Sequence, residues 1–308
     1  MIKEENLIFI GGAPRSGTSL IQKILDNHST VYAGPEFDHL HAICNLYDSM
    51  LGGIENKRQV AYYTKNPLKE SFKQLIYSNL VNNLEKKDIT HVSDKTPMNA
   101  LVFDRIKELF PKSKFIFIIR DPRAILYSMK KVYKRALKYG DNVGVGFNTL
   151  KDLRSIKSYI QSGQDFFFDN QNSCTIIHYE ELINAPKQTI KDLCITLGLQ
   201  FQPNMLQTYN ENDTSKILKT KTIRSWYDEK LYNRKIDKDS LFEWKDKMNK
   251  KDILLANAFF NHHKLPILKT YQFPKPNFFQ KVLLSPNVIR EKGIKRSVKS
   301  IFYNVKKS

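Results

Sequence analysis

Three cysteines in 308 residues are too few to frame a disulfide-built domain. Cys44, Cys174 and Cys194 form no Cys-x-x-Cys pair, and no His/Cys cluster has the spacing of metal ligands. A reducing compartment, the cytoplasm, is the expectation, with no metal. Long apolar runs are missing too: none approaches the roughly 18–20 residues of a membrane span. The start, MIKEENLIFIGG, enters a strand-like run at once and implies no signal peptide. Acid is scarce. Against 50 Lys+Arg stand 31 Asp+Glu, a formal net charge of +19. Such an excess attracts nucleic acid, anionic lipid or small polyanions, or reflects plain surface lysine. No internal repeat and no clear linker is present, so one elaborated domain is expected over residues 1–276. The 41% of hydrophobic residues suffices for a sizeable core.

Periodicity orders the first two thirds. Leu7–Ile10 is a short apolar run before Gly11-Gly12 and predicts a buried strand. Leu20, Ile21, Ile24 and Leu25 follow helical spacing to about Asn27. Residues 38–88 are helical in character, with a polar stretch near 52–66. Pro97 predicts the first turn of a helix running to Phe110. Lys114–Ile119 (KFIFII) is the strongest strand signal. Asp121 is a good N-cap with Pro122 behind it, for a helix continuing past Ser128. A helix over 147–169, a strand over Cys174–His178 and a helix over 186–197 follow. Strands alternating with helices imply an α/β fold, a parallel central sheet flanked by helices.

Between the first strand and helix lies Gly12-Ala13-Pro14-Arg15-Ser16-Gly17-Thr18-Ser19. Glycines allow the tight turn, and backbone N–H groups at a helix start can face an anion. The Gly12-x4-Gly17 spacing fits a P-loop, yet Thr18 stands where a nucleoside triphosphatase carries lysine. That argues against ATP or GTP hydrolysis. Arg15 supplies a cation from within the loop instead.

PRSGTS after an apolar strand resembles the 5′-phosphosulfate loop of sulfotransferases that use 3′-phosphoadenosine 5′-phosphosulfate (PAPS), most of all the tyrosylprotein and bacterial branch. Phe115–Met129 (FIFIIRDPRAILYSM) resembles the family's 3′-phosphate segment, and Ser93–Pro97 (SDKTP) the segment of a catalytic lysine. Gly34-Pro35-Glu36 stands where the tyrosylprotein branch has its catalytic glutamate. Ile176–Leu182 (IIHYEEL) resembles a later strand with a tyrosine. The likeness covers roughly residues 7–197 and implies a P-loop-NTPase-like sulfotransferase fold.

Sulfuryl transfer builds negative charge on a leaving phosphate oxygen, which cations and N–H groups must meet. The resemblance implies that Arg15 contacts the 5′-phosphate and sulfonate, with Ser16, Gly17, Thr18 and Ser19 donating to the 5′-phosphate. It implies that Lys95 neutralises the bridging oxygen. Arg120 and Ser128 would hold the 3′-phosphate, with Arg123 as a further candidate. Glu36 is the expected general base, His39 and His41 being the alternatives. Tyr179 either contacts the nucleotide or packs over the sheet edge. Lys221, Arg224, Ser225 and Lys235 are possible further contacts, and Trp226 and Trp244 are expected to pack.

Some features depart from the tyrosylprotein pattern. Val132, not arginine, stands four residues after Ser128, and Gly34-Pro35-Glu36 replaces Gly-Glu-Glu. A glycan or glycolipid hydroxyl is therefore the first expectation for the acceptor, a peptide tyrosine or small alcohol the alternative. A degenerate P-loop kinase or a non-enzymatic polyanion binder is the reading from other classes. No specific nucleic acid is expected, since the basic residues form no recognised module. Residues 277–308 hold eight Lys/Arg against Glu291 alone, with Ile294, Val298, Ile301, Phe302 and Val305 on one helical face. That basic amphipathic segment either docks on the core or contacts anionic membrane at its periphery.

Overall fold

The computed structural model describes residues 2–82, 84, 88–207, 225–226, 238–277 and 280. Five strands form one parallel sheet: β1 Leu7–Gly12, β2 Val31–Ala33, β3 His91–Lys95, β4 Lys114–Ile119 and β5 Cys174–His178. Their order is β2-β3-β1-β4-β5. The tail segment 277–308 lies almost wholly outside the described residues, and so do Lys221, Arg224 and Lys235.

Strand alternation divides the core. Side chains two apart share a face, so Phe9, Phe115 and Phe117 join one apolar cluster while Ile8, Ile10, Ile116 and Ile118 join the other. The first face is aromatic: Phe115 lies 4.7 Å from Phe166 and 5.2 Å from Phe103, ring centre to ring centre. Helices α2 (Leu40–Glu55), α3 (Lys65–Val81), α4 (Phe103–Leu109), α5 (Pro122–Tyr139) and α6 (Thr149–Asp169) contribute to it. Helix α1 (Thr18–Asp26) and, after the short α7 (Tyr179–Asn184), helix α8 (Pro186–Leu197) cover the other face. Two later helices, α9 (Asp239–Lys247) and α10 (Lys250–His263), pack back onto the first.

Two expectations change. The helix predicted from Pro97 to Phe110 is split into a 3₁₀ turn, Pro97–Leu101, and α4. The break follows from close backbone packing, because a Cβ on Gly11 would strike the Ala100 amide. Asn99 also donates to the Ile10 carbonyl across the gap (3.2 Å). The edge strand β2 carries no periodic signal in its three residues and becomes visible only through its pairing with β3.

Arg123 is the second expectation to change. Its guanidinium donates to both oxygens of Asp121 (2.9 and 2.7 Å), to Asn257 Oδ1 (3.0 Å) and to the Gln272 carbonyl (2.9 Å). It lies over the Trp244 ring at 4.4 Å. Buried, with four of its five N–H groups engaged by the protein, it joins α5 to α9 and α10. Trp244 packs, as expected, at 5% exposure. Arg123→Ala leaves the Asp121 carboxylate buried without its cation, and losing one partner of such a pair costs about 3–5 kcal/mol. The urea midpoint should fall accordingly, and Arg123→Lys should not restore it, since lysine lacks the fork.

Candidate active site

The carboxyl ends of β1, β3 and β4 converge on one edge of the sheet, where α/β folds place ligands. β1 runs into the glycine loop. Arg15 (φ 76°) and Gly17 (φ 112°) sit in the left-handed region on either side of Ser16. Alternation of this kind gathers successive N–H groups into an anion cup. The Ser16 hydroxyl is buried there and meets no hydrogen-bond partner among the described residues, as expected of a group that bonds an incoming anion. Thr18 and Ser19 open α1 directly behind it. Gly17 has no room for a side chain, because a Cβ would enter the Tyr179 ring.

Lys95 closes β3 and is 4% exposed. Its ammonium donates to Ser19 Oγ (3.2 Å) and to the Glu36 carboxylate. Residues 59 and 76 positions apart thus meet at one nitrogen. His39 lies edge-on to Phe37 and His41 pairs with Asn45 on α2, so Glu36 rather than either histidine is held by Lys95. Desolvation, then the charge of Glu36 and a hydrogen bond to it, push the neighbouring Asp38 carboxyl above its usual range.

Arg15 reaches the second turn of α5, where Nε donates to Ser128 Oγ (3.1 Å), while Nη1 donates to the Trp226 carbonyl (2.9 Å). Arg120, just beyond β4, donates to the Arg15 carbonyl (3.1 Å) and stacks on Tyr179 at 4.2 Å. Tyr179 is therefore packed between Gly17 and Arg120. Arg15, Ser16, Gly17, Thr18, Ser19, Glu36, Lys95, Arg120, Ser128 and Tyr179 thus fall along this one edge.

Other contributions had no sequence signal. The Trp226 ring packs against Val132, Ala136 and Val143, as expected, while its carbonyl caps Arg15. Ser225 turns its hydroxyl to Asp141 and its carbonyl to Arg135 (2.9 Å) of α5. Glu180 joins β4 to the late chain, accepting from the Asp121 amide (2.9 Å) and the Tyr271 hydroxyl (2.5 Å). Burial, then the charge of Glu180, push the Tyr271 phenol upward. Burial likewise raises the thiols of Cys44 and Cys174 to about 12 and that of Cys194 to about 11, which leaves them unreactive.

The family model described as "Sulfotransferase family" matches residues 7–203, the span of this sheet and its loops. The chain belongs to the sulfotransferase family. This sulfotransferase is 28% identical over 243 residues to a putative protein-tyrosine sulfotransferase of Caenorhabditis briggsae, covering 73% of this chain and 81% of that one. It is 25% identical over 244 residues to protein-tyrosine sulfotransferase A of Caenorhabditis elegans, covering 77% of this chain and 60% of that one. The sulfotransferase domain of the curacin biosynthetic pathway matches it in fold, with a TM-score of 0.56, 19% identity, and coverage of 87% and 98%.

Proposed function

We propose that this sulfotransferase takes the sulfuryl group from PAPS and passes it to a tyrosyl phenol in a peptide. The observation that carries the reading is the Lys95 ammonium, bonded at once to the Ser19 hydroxyl of the phosphate loop and to the Glu36 carboxylate. A cation between an anion cup and a carboxylate suits a reaction in which charge leaves toward phosphate and a proton leaves toward a base. The N–H groups and hydroxyls of Ser16 to Ser19 bind the 5′-phosphate, Arg15 forks onto sulfonate oxygens, and Arg120 with Ser128 takes the 3′-phosphate. Glu36 accepts the acceptor's proton as its oxygen attacks sulfur. The sulfur–oxygen bond to the 5′-phosphate then breaks, and Lys95 meets the charge on that oxygen. The products are the sulfate ester and 3′-phosphoadenosine 5′-phosphate.

Two considerations favour tyrosine over the glycan expected from sequence. The relatives above are named protein-tyrosine sulfotransferases. A phenol, which ionises near pH 10, also yields its proton to a carboxylate far more readily than a sugar hydroxyl does. The approach to Glu36 past the half-buried Gly34 and the exposed Pro35 keeps a glycan or glycolipid as the second reading.

The donor is tested by thermal shift. 3′-Phosphoadenosine 5′-phosphate should raise Tm far more than AMP at equal concentration, because only the former engages Arg120 and Ser128; equal shifts would sink the reading. The acceptor is tested by transfer of label from PAPS to a panel of tyrosine peptide, simple phenol, glycan and glycolipid. Label on the glycan alone would replace tyrosine with the second reading.

A further inference from the structure

Glu36 lies on an irregular stretch, residues 34–39, between β2 and α2. Such a stretch would hold a base poorly by itself, yet side chains from other elements grip its backbone. Gln22 of α1 donates to the Gly34 carbonyl (2.9 Å). The Phe37 amide donates to Asp94 Oδ1 of β3 (3.1 Å), and the Asp38 amide to Thr96 Oγ1 (3.3 Å). Asp38 is held at φ 58°, in the left-handed region that a residue with a side chain keeps only when its surroundings impose it.

Asp94 is the costly member of this set. It is 2% exposed, and its other oxygen accepts from Asn99 Nδ2 (2.7 Å). A carboxylate at that depth is desolvated, which an apolar residue in the same place would avoid. We propose that Asp94 is a positioning residue: through the Phe37 amide, one residue beyond Glu36, it fixes the loop so that the Glu36 carboxylate stays on Lys95 and faces the acceptor. The proposal rests on the reading of Glu36 as the base.

Its state depends on pH. Burial pushes the Asp94 carboxyl up to about 6 against the pull of the Asn99 and Phe37 hydrogen bonds. The charged groups facing it are Lys95, next on its own strand, which lowers it, and Glu36 on the loop, which raises it. Above pH 6 the anion accepts both N–H groups. Below, the added proton weakens one oxygen as an acceptor and the loop loosens.

The test compares purified wild type, Asp94→Asn and Glu36→Gln with PAPS and a tyrosine peptide across pH 5–9. In Asp94→Asn, kcat should fall about 10²-fold, the cost of a small misplacement of a reacting group. The KM for PAPS and the thermal shift with 3′-phosphoadenosine 5′-phosphate should stay within twofold, and the acid limb of kcat near pH 6 should move. An unchanged kcat and limb beside an inactive Glu36→Gln would overturn the positioning role alone. Loss of the thermal shift together with kcat would reduce Asp94 to a structural residue and also overturn it. Full activity of Glu36→Gln would overturn the base reading and this proposal with it.

Discussion

Lys95→Ala is expected to lower kcat by about 10²–10³-fold, the usual effect of removing one preorganised donor from a developing oxyanion. The fold should survive, since alanine at the end of β3 leaves the backbone pairing of Ile10 with residue 95 in place. Donor affinity should change little, because the cup of Ser16 to Ser19 and the Arg120–Ser128 pair are built by other elements. The loss should therefore fall on kcat and not on the KM for PAPS. Lys95→Arg should recover little. The site seats a compact ammonium between Ser19 and Glu36, and a planar fork there would push the two apart. Retention of more than a tenth of wild-type kcat in Lys95→Ala would remove this lysine from the chemistry.

Arg15→Ala should cost on the order of 10³-fold in kcat/KM, comparable with the lower range for a charge-stabilising arginine in phosphoryl transfer. Here both terms should suffer. The guanidinium is the loop's own cation, and it also ties the loop to α5 through Ser128 and to the late chain through Trp226. The variant should lose most of its discrimination between 3′-phosphoadenosine 5′-phosphate and AMP in thermal shift, because Ser128 loses the partner that orients its hydroxyl. A double-mutant cycle of Arg15→Ala with Ser128→Ala isolates this coupling, expected at about 0.5–3 kcal/mol. Additive losses would mean that the two side chains act independently despite their contact.

Strands β1, β4 and β5 and most helices were legible because their signals are local. The apolar run KFIFII, the Asp121-Pro122 helix start and the glycine loop depend on residues a few positions apart. The split at Val102 was hidden, because it arises where Ala100 packs on Gly11, some ninety residues earlier. The net charge of +19 proved a poor guide, since among the described residues the cations that gather at the sheet edge are few: Arg15, Lys95 and Arg120. Arg123 shows the same from the other side. Its place in the RDPR segment suggested an anion, and its partner Asn257, 134 residues on, made it a buried strut.

By itself, then, the sequence determined three strands of the sheet, most of its helices and the phosphate loop. Each follows from short-range hydrogen bonding, steric freedom and hydrophobic period, whereas the choice of candidate site residues came from the resemblance to a family. Only the tertiary structure decided which charged groups meet. It set Lys95 between Ser19 and Glu36, Arg15 against Ser128, and Asp94 beneath the loop that bears Glu36. Those pairings depend on the crossover of β3 and β4 to opposite sides of β1, and no local pattern records where two strands far apart in the chain will end.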